Sequence, residues 1–163
     1  MTVNYASGLT GSDDNITMNV TSAKNVTVDV DSGFERATLA LNGTANTVTN
    51  IITPKTGGMS LTISGSGDAT FAADAFDSSS AFTITNTAAL KFGAIDTLDV
   101  KTFTATANTG GITGSSALVS PNIYSTDEID GATTGLTMFL GSGNDNLLIN
   151  DTAVSTKTNT IML

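Results

Sequence analysis

Short runs in which apolar and polar residues alternate recur along this chain, and period two is the signature of strands, not helices. Ile16-Thr-Met-Asn-Val20, Val26-Thr-Val-Asp-Val30, Ala37-Thr-Leu-Ala-Leu41 and Val48-Thr-Asn-Ile51 open the series. Successive side chains of a strand point to opposite faces. Ile16, Met18 and Val20, then Val26, Val28 and Val30, then Leu39 and Leu41 therefore line one face, with Thr, Asn and Asp opposite. Such strands are buried on one side and wet on the other. The pattern continues in Leu61-Thr-Ile-Ser64, Phe71-Ala-Ala-Asp74, Phe82-Thr-Ile-Thr-Asn86, Leu90-Lys-Phe92, Leu98-Asp-Val100 and Phe103-Thr-Ala-Thr-Ala107. After a looser stretch it resumes in Leu136-Thr-Met-Phe-Leu140, Leu147-Leu-Ile149 and Thr160-Ile-Met-Leu163. No segment of helical length carries an i, i+3, i+4 apolar stripe.

Strands of about five residues starting about every ten fit two architectures, an antiparallel β-sandwich or a parallel β-solenoid with two strands per coil of about twenty residues. The turns favour the solenoid. Hairpins ask for Asn-Gly or Asp-Gly between paired strands, whereas this chain offers Gly11-Ser-Asp-Asp14, Gly43-Thr-Ala-Asn46, Gly65-Ser-Gly-Asp68 and Gly141-Ser-Gly-Asn144, each leading into an apolar strand. One turn is being reused. The expected fold is all-β, a parallel β-solenoid of β-roll or β-helix type with short strands and Gly/Asp turns, the antiparallel β-sandwich being the alternative. One continuous domain is expected, with solenoid rungs over 1–107, an irregular loop or insertion over 108–135, and further rungs over 136–163. Leu163 follows a strand where the next glycine turn is due, so the chain reads as a piece of a longer solenoid.

Composition narrows the chemistry. The chain has 15 acidic and 6 basic residues, a net charge of −9, and 13% charged residues in all. With so few bases there is no face to neutralise phosphates or anionic lipid, and nucleic acid is not an expected partner. His, Cys and Trp are absent, which removes zinc, haem, Ser-His-Asp and Cys-His chemistry in their usual forms. No stretch approaches the roughly 18 apolar residues of a membrane span, so membrane insertion is not expected. The N-terminus, Met-Thr-Val-Asn-Tyr, lacks the basic and apolar regions of a signal peptide; if the chain is secreted, its signal lies elsewhere.

The acids are almost all Asp, a residue of turns and of hard-cation ligation. In Leu140-Gly-Ser-Gly-Asn-Asp-Asn-Leu147 they meet a recognisable spacing. The nonapeptide of repeats-in-toxin (RTX) proteins runs Gly-Gly-x-Gly-x-Asp-x-U-x, with U a large apolar residue. Gly141 and Gly143 fill its second and third glycine positions, Asp145 its Asp and Leu147 its apolar position, while Leu140 stands where the first glycine belongs. Together with Thr-, Ala-, Asn- and Gly-rich strands, no Cys and few bases, this resembles the RTX-type surface-layer (S-layer) proteins of Gram-negative bacteria. That family leaves the cell by type I secretion, folds in external calcium as a β-solenoid, and assembles into a lattice.

The resemblance implies Ca2+ as the bound ion, with Gly141 and Gly143 contributing backbone carbonyls and Asp145 its carboxylate. Calcium takes 6–8 oxygens, so other ligands are needed, and Asp151, a little further along the chain, is a candidate. Asp13 and Asp14 form a second candidate set, in a shorter turn. Asp127, Glu128 and Asp130 read as a solvated loop, and Asp29 and Asp31 as strand surface. Thr-x-Thr pairs such as Thr83 and Thr85, or Thr104 and Thr106, suit an ordinary strand surface or a flat ice-binding face.

The function expected is a structural, self-assembling module of the bacterial cell surface, extracellular, stabilised by calcium and contacting copies of itself; outer-membrane polysaccharide would be reached through other parts of a longer chain. The alternative is the stalk of a secreted RTX adhesin presenting Asn122 to Asp130 as a ligand loop. A polysaccharide-acting β-helix enzyme is the minor alternative. Such enzymes bring paired carboxylates and aromatic sugar platforms into a groove, and one Arg, two Tyr and no Trp supply little of that, so no catalysis is expected.

Overall fold

The computed structural model describes residues 11, 13–29, 33–52, 59–72, 79–93, 95–96, 102–114, 122–124, 137–146, 148–150 and 160–163. Numbered in chain order, its fifteen strands form three parallel sheets and, among the described residues, there is no helix. The longest sheet joins β1 (Asn15–Thr21), β3 (Arg36–Asn42), β5 (Met59–Gly65), β7 (Ser79–Ile84), β10 (Thr102–Thr104), β13 (Thr137–Phe139) and β15 (Thr160–Met162) in that order. A second runs β2 (Val26–Asp29), β4 (Asn46–Ile52), β6 (Ala69–Phe71), β8 (Leu90–Phe92), β11 (Ile112–Gly114). A third joins β9 (Ile95–Asp96), β12 (Asn122–Tyr124) and β14 (Leu148–Asn150).

Among the described residues no strand pairs with its sequence neighbour. β1 pairs in parallel with β3, Asn15 opposite Arg36, and β3 pairs with β5, Arg36 opposite Ser60. The same kind of step carries Ser60 to Ala81 and Ala81 to Thr102. This is a β-solenoid, and the sandwich alternative falls: a hairpin architecture would pair β1 with β2 antiparallel. The cross-section also differs from two strands per coil, because β7, β8 and β9 lie in three different sheets. One coil is longer, running from Thr102 to its partner Thr137. The stretch 108–135, expected as an irregular insertion, lies in it and contributes β11 and β12 to the second and third sheets. The run Leu98–Val100 falls outside the described residues.

Stacking places like on like inside. Met18, Leu39, Ile63 and Ile84 follow one another in register along the long sheet, and all are buried. In the second sheet Ala69, Leu90 and Ile112 form one column, while Phe71 pairs with Phe92 in the next, their rings parallel with centroids 4.5 Å apart. A row one coil deep cannot bury its apolar side alone; the column along the axis makes the core.

Candidate functional site

Glycines and buried asparagines build corners that follow strands of the long sheet. Gly65 has φ +96°, in the left-handed region, and a Cβ there would collide with the carbonyl oxygen of Leu41 in the preceding coil. That same carbonyl accepts the Gly67 N–H at 2.9 Å. Gly141 lies over the Asn108 carbonyl and Gly143 over the Gly111 backbone with no room for a side chain. The Gly43, Gly65 and Gly141 turns therefore share one corner, as their likeness implies. The Gly11 turn does not: it precedes β1, and its neighbour one coil on is Glu35, whose N–H and that of Arg36 both donate to the Asp14 carbonyl at 3.1 Å.

Three asparagines sit inside the corner, at most 1% exposed: Asn46, Asn86 and Asn108. The Asn86 amide donates to the carbonyls of Ser64 and Gly67 at 3.1 and 3.0 Å, and its oxygen accepts the Ala88 N–H at 2.7 Å. Asn108 repeats this one coil on, donating to the Asn86 and Ala88 carbonyls at 2.8 and 2.9 Å and accepting from Gly111. Asn46 spans three coils, accepting from Ala23 N and donating to the Asn42 and Asp68 carbonyls. Turn carbonyls and amides with no strand partner are satisfied this way, which burial requires.

Carboxylates serve the same purpose nearer the surface. Asp145 Oδ1 accepts the Ile112 N–H at 2.8 Å, and both oxygens of Asp68 lie 3.1 Å from the Ala45 N–H. Each acid thus caps an amide of the coil before it. The Gly65 turn, aligned on its glycines with the Gly141 turn, carries Ala69 in place of Asp145, and Asp68 takes over the capping one position earlier.

At the opposite corner Asp13 forms an exposed ion pair with Arg36 at 2.7 Å. Asp14 is half-buried, its N–H donates to Glu35 Oε2 at 2.7 Å, and its buried Oδ2 has no hydrogen-bond partner among the described residues. Glu35 is absent from the candidates that residue type and motif pick out; the signal that finds it is its place one coil after Asp14. The structure does not bring the two candidate sets together. β1 and β13 stand five strand steps apart, roughly 24 Å at about 4.8 Å per step. Asp151, Asp127, Glu128 and Asp130 lie outside the described residues.

No protein-family model, curated protein or solved structure matches this chain.

Among the described residues no three acids converge to hold a metal ion by themselves. A calcium ion at either corner would draw further oxygens from turn carbonyls and water, as calcium sites regularly do. The two corners differ in fit. Asp145 has a structural duty that needs no ion, whereas a buried carboxylate oxygen without a donor is costly, and a cation beside Asp14 Oδ2 and Glu35 would relieve that cost.

Proposed function

We propose that this chain is a non-catalytic structural module of a secreted, self-assembling RTX-type surface layer, a solenoid that calcium stabilises outside the cell. The observation that carries the reading is the position of the Gly141–Asp145 element: a corner after a parallel strand, stacked on the corner of the coil before it, where a β-roll turn belongs. The RTX spacing supports Asp145, Gly141 and Gly143 as calcium ligands, and Asp14 Oδ2, which has no donor among the described residues, supports the Asp14–Glu35 corner as a second. Extracellular modules bind calcium with dissociation constants of about 10⁻⁴ to 10⁻³ M, so such sites fill on export and favour the folded chain.

At about 1 mM calcium and a dissociation constant of about 10⁻⁴ M, one site adds about 1.4 kcal/mol. For a chain of this length that raises Tm by roughly 3–6 °C. Melting followed by circular dichroism in calcium and in EGTA checks it; identical curves would remove calcium from the account.

Two substitutions separate ion binding from capping. Asp145→Asn retains an oxygen for the Ile112 N–H, so its melting in EGTA is expected to match the parent while calcium affinity by calorimetry falls. Asp14→Asn is expected to lower calcium affinity as well, and to be no less stable than the parent in EGTA, since Oδ2 accepts no hydrogen bond from a described residue that the change could break. If both variants bind calcium as the parent does, neither corner is a site.

A further inference from the structure

The outward side of the long sheet is unusual for so acidic a chain. Thr17, Thr38, Thr62, Thr83 and Thr104 stand opposite one another in a single column across five coils. The column continues into half-buried Phe139 and exposed Met162. Flanking outward positions such as Asn19, Ala40 and Ser64 are uncharged too. Among the described outward residues of this sheet there is no carboxylate, although the chain carries 15 acids. Its single charge, Arg36, is neutralised by Asp13. The described acids near this sheet sit instead at corners: Asp13, Asp14, Glu35, Asp68 and Asp145.

We propose that this face is the contact surface for a second copy of the chain, packed face to face about a two-fold axis. This rests on the reading of the chain as a self-assembling module and names the surface it uses. Two molecules of charge −9 repel at most approaches; through this face they meet without opposing like charges. The repeat is commensurate with another sheet. Small side chains rise in rows about 4.8 Å apart, and rows with that spacing interdigitate with their own copy, as in sheets packed about 10 Å apart. Six strand steps of about 4.8 Å by some five residues of about 3.3 Å give roughly 500 Å² per copy, about 1,000 Å² in total. That is the low end of specific interfaces, a weak contact that becomes strong when repeated in an array.

A two-fold axis giving greatest overlap passes near β7, the middle of the seven strands, so Thr83 meets Thr83 of the other copy. The chain has no Cys, which makes a reporter simple. Thr83→Cys is expected to form a disulfide-linked dimer under mild oxidation, with Ser66→Cys on the exposed corner cross-linking at least about ten-fold more slowly. In sedimentation velocity from about 10 μM to about 1 mM, the unmodified chain is expected to associate. Thr83→Asp, with its circular dichroism spectrum retained, is expected to associate at least about ten-fold more weakly, because like charges are forced together. Association that Thr83→Asp leaves unchanged, with no preference for cross-linking at Thr83→Cys, would overturn this face and leave the self-assembling reading standing. A chain that stays monomeric throughout overturns both, and one that stays monomeric while reshaping growing ice crystals assigns the threonine column to ice.

Discussion

Gly65→Ala is expected to destabilise the chain by on the order of 4 kcal/mol, a loss large enough to unfold many domains outright. Two effects add. At φ +96° an L-residue is strained by roughly 1–2 kcal/mol. The methyl group is also driven into the Leu41 carbonyl, which is backbone and cannot rotate away. Moving that carbonyl breaks its bond from Gly67 N–H and shifts the coil beneath. The damage should therefore spread along the axis: hydrogen exchange is expected to quicken in β3 and β5 together, and at Thr87, whose N–H donates to the Gly65 carbonyl at 3.3 Å. Ser66→Ala, on the exposed side of the same turn, is expected to change stability by less than about 0.5 kcal/mol. Faster exchange confined to β5 would mean that the corner is not shared between coils.

The strands themselves are easy to read because burial alternates with the pleat. β3 shows the pattern in full, with Ala37, Leu39 and Leu41 buried and Arg36, Thr38, Ala40 and Asn42 less so. Leu90–Phe92 is a strand over the very residues its alternation marks. Alternation says only that one face is buried, however, and a sandwich buries one face as well. What separates the two folds is which strand each one pairs with, the strand one coil on or its immediate neighbour, and that choice leaves its trace in the turns. β11 escapes a reading by pattern, since Ile112-Thr-Gly114 is too short to alternate and is flanked by Gly110 and Gly111. The acids of the corners are legible as candidate ligands by residue type. Their capping of amides in neighbouring coils is not, because it depends on what lies one coil below.

The buried asparagines make the same point with more at stake. Asn86 closes an apolar run and Asn108 opens a looser one, so locally each looks like a turn residue. Only their spacing of one coil, which lets Asn108 donate to the Asn86 carbonyl, marks them as stacked equivalents. Asn86→Asp is expected to cost about 3–5 kcal/mol at neutral pH. A carboxylate keeps the acceptor for the Ala88 N–H but loses both donors, and faces the Ser64 and Gly67 carbonyls with a charge that burial and those oxygens disfavour. Its folded pKa must then rise above that of the unfolded chain. A group with a raised folded pKa contributes its stability below the unfolded value, and that stability is lost as pH climbs through the folded value. The deficit relative to the parent is therefore expected to shrink at pH 4, where the protonated acid again has one O–H to donate, and to widen toward pH 7. Denaturant melts of both proteins at the two pH values measure it. A deficit that does not change with pH would mean that the side chain at 86 reaches solvent, and that the corner is looser than its hydrogen bonds describe.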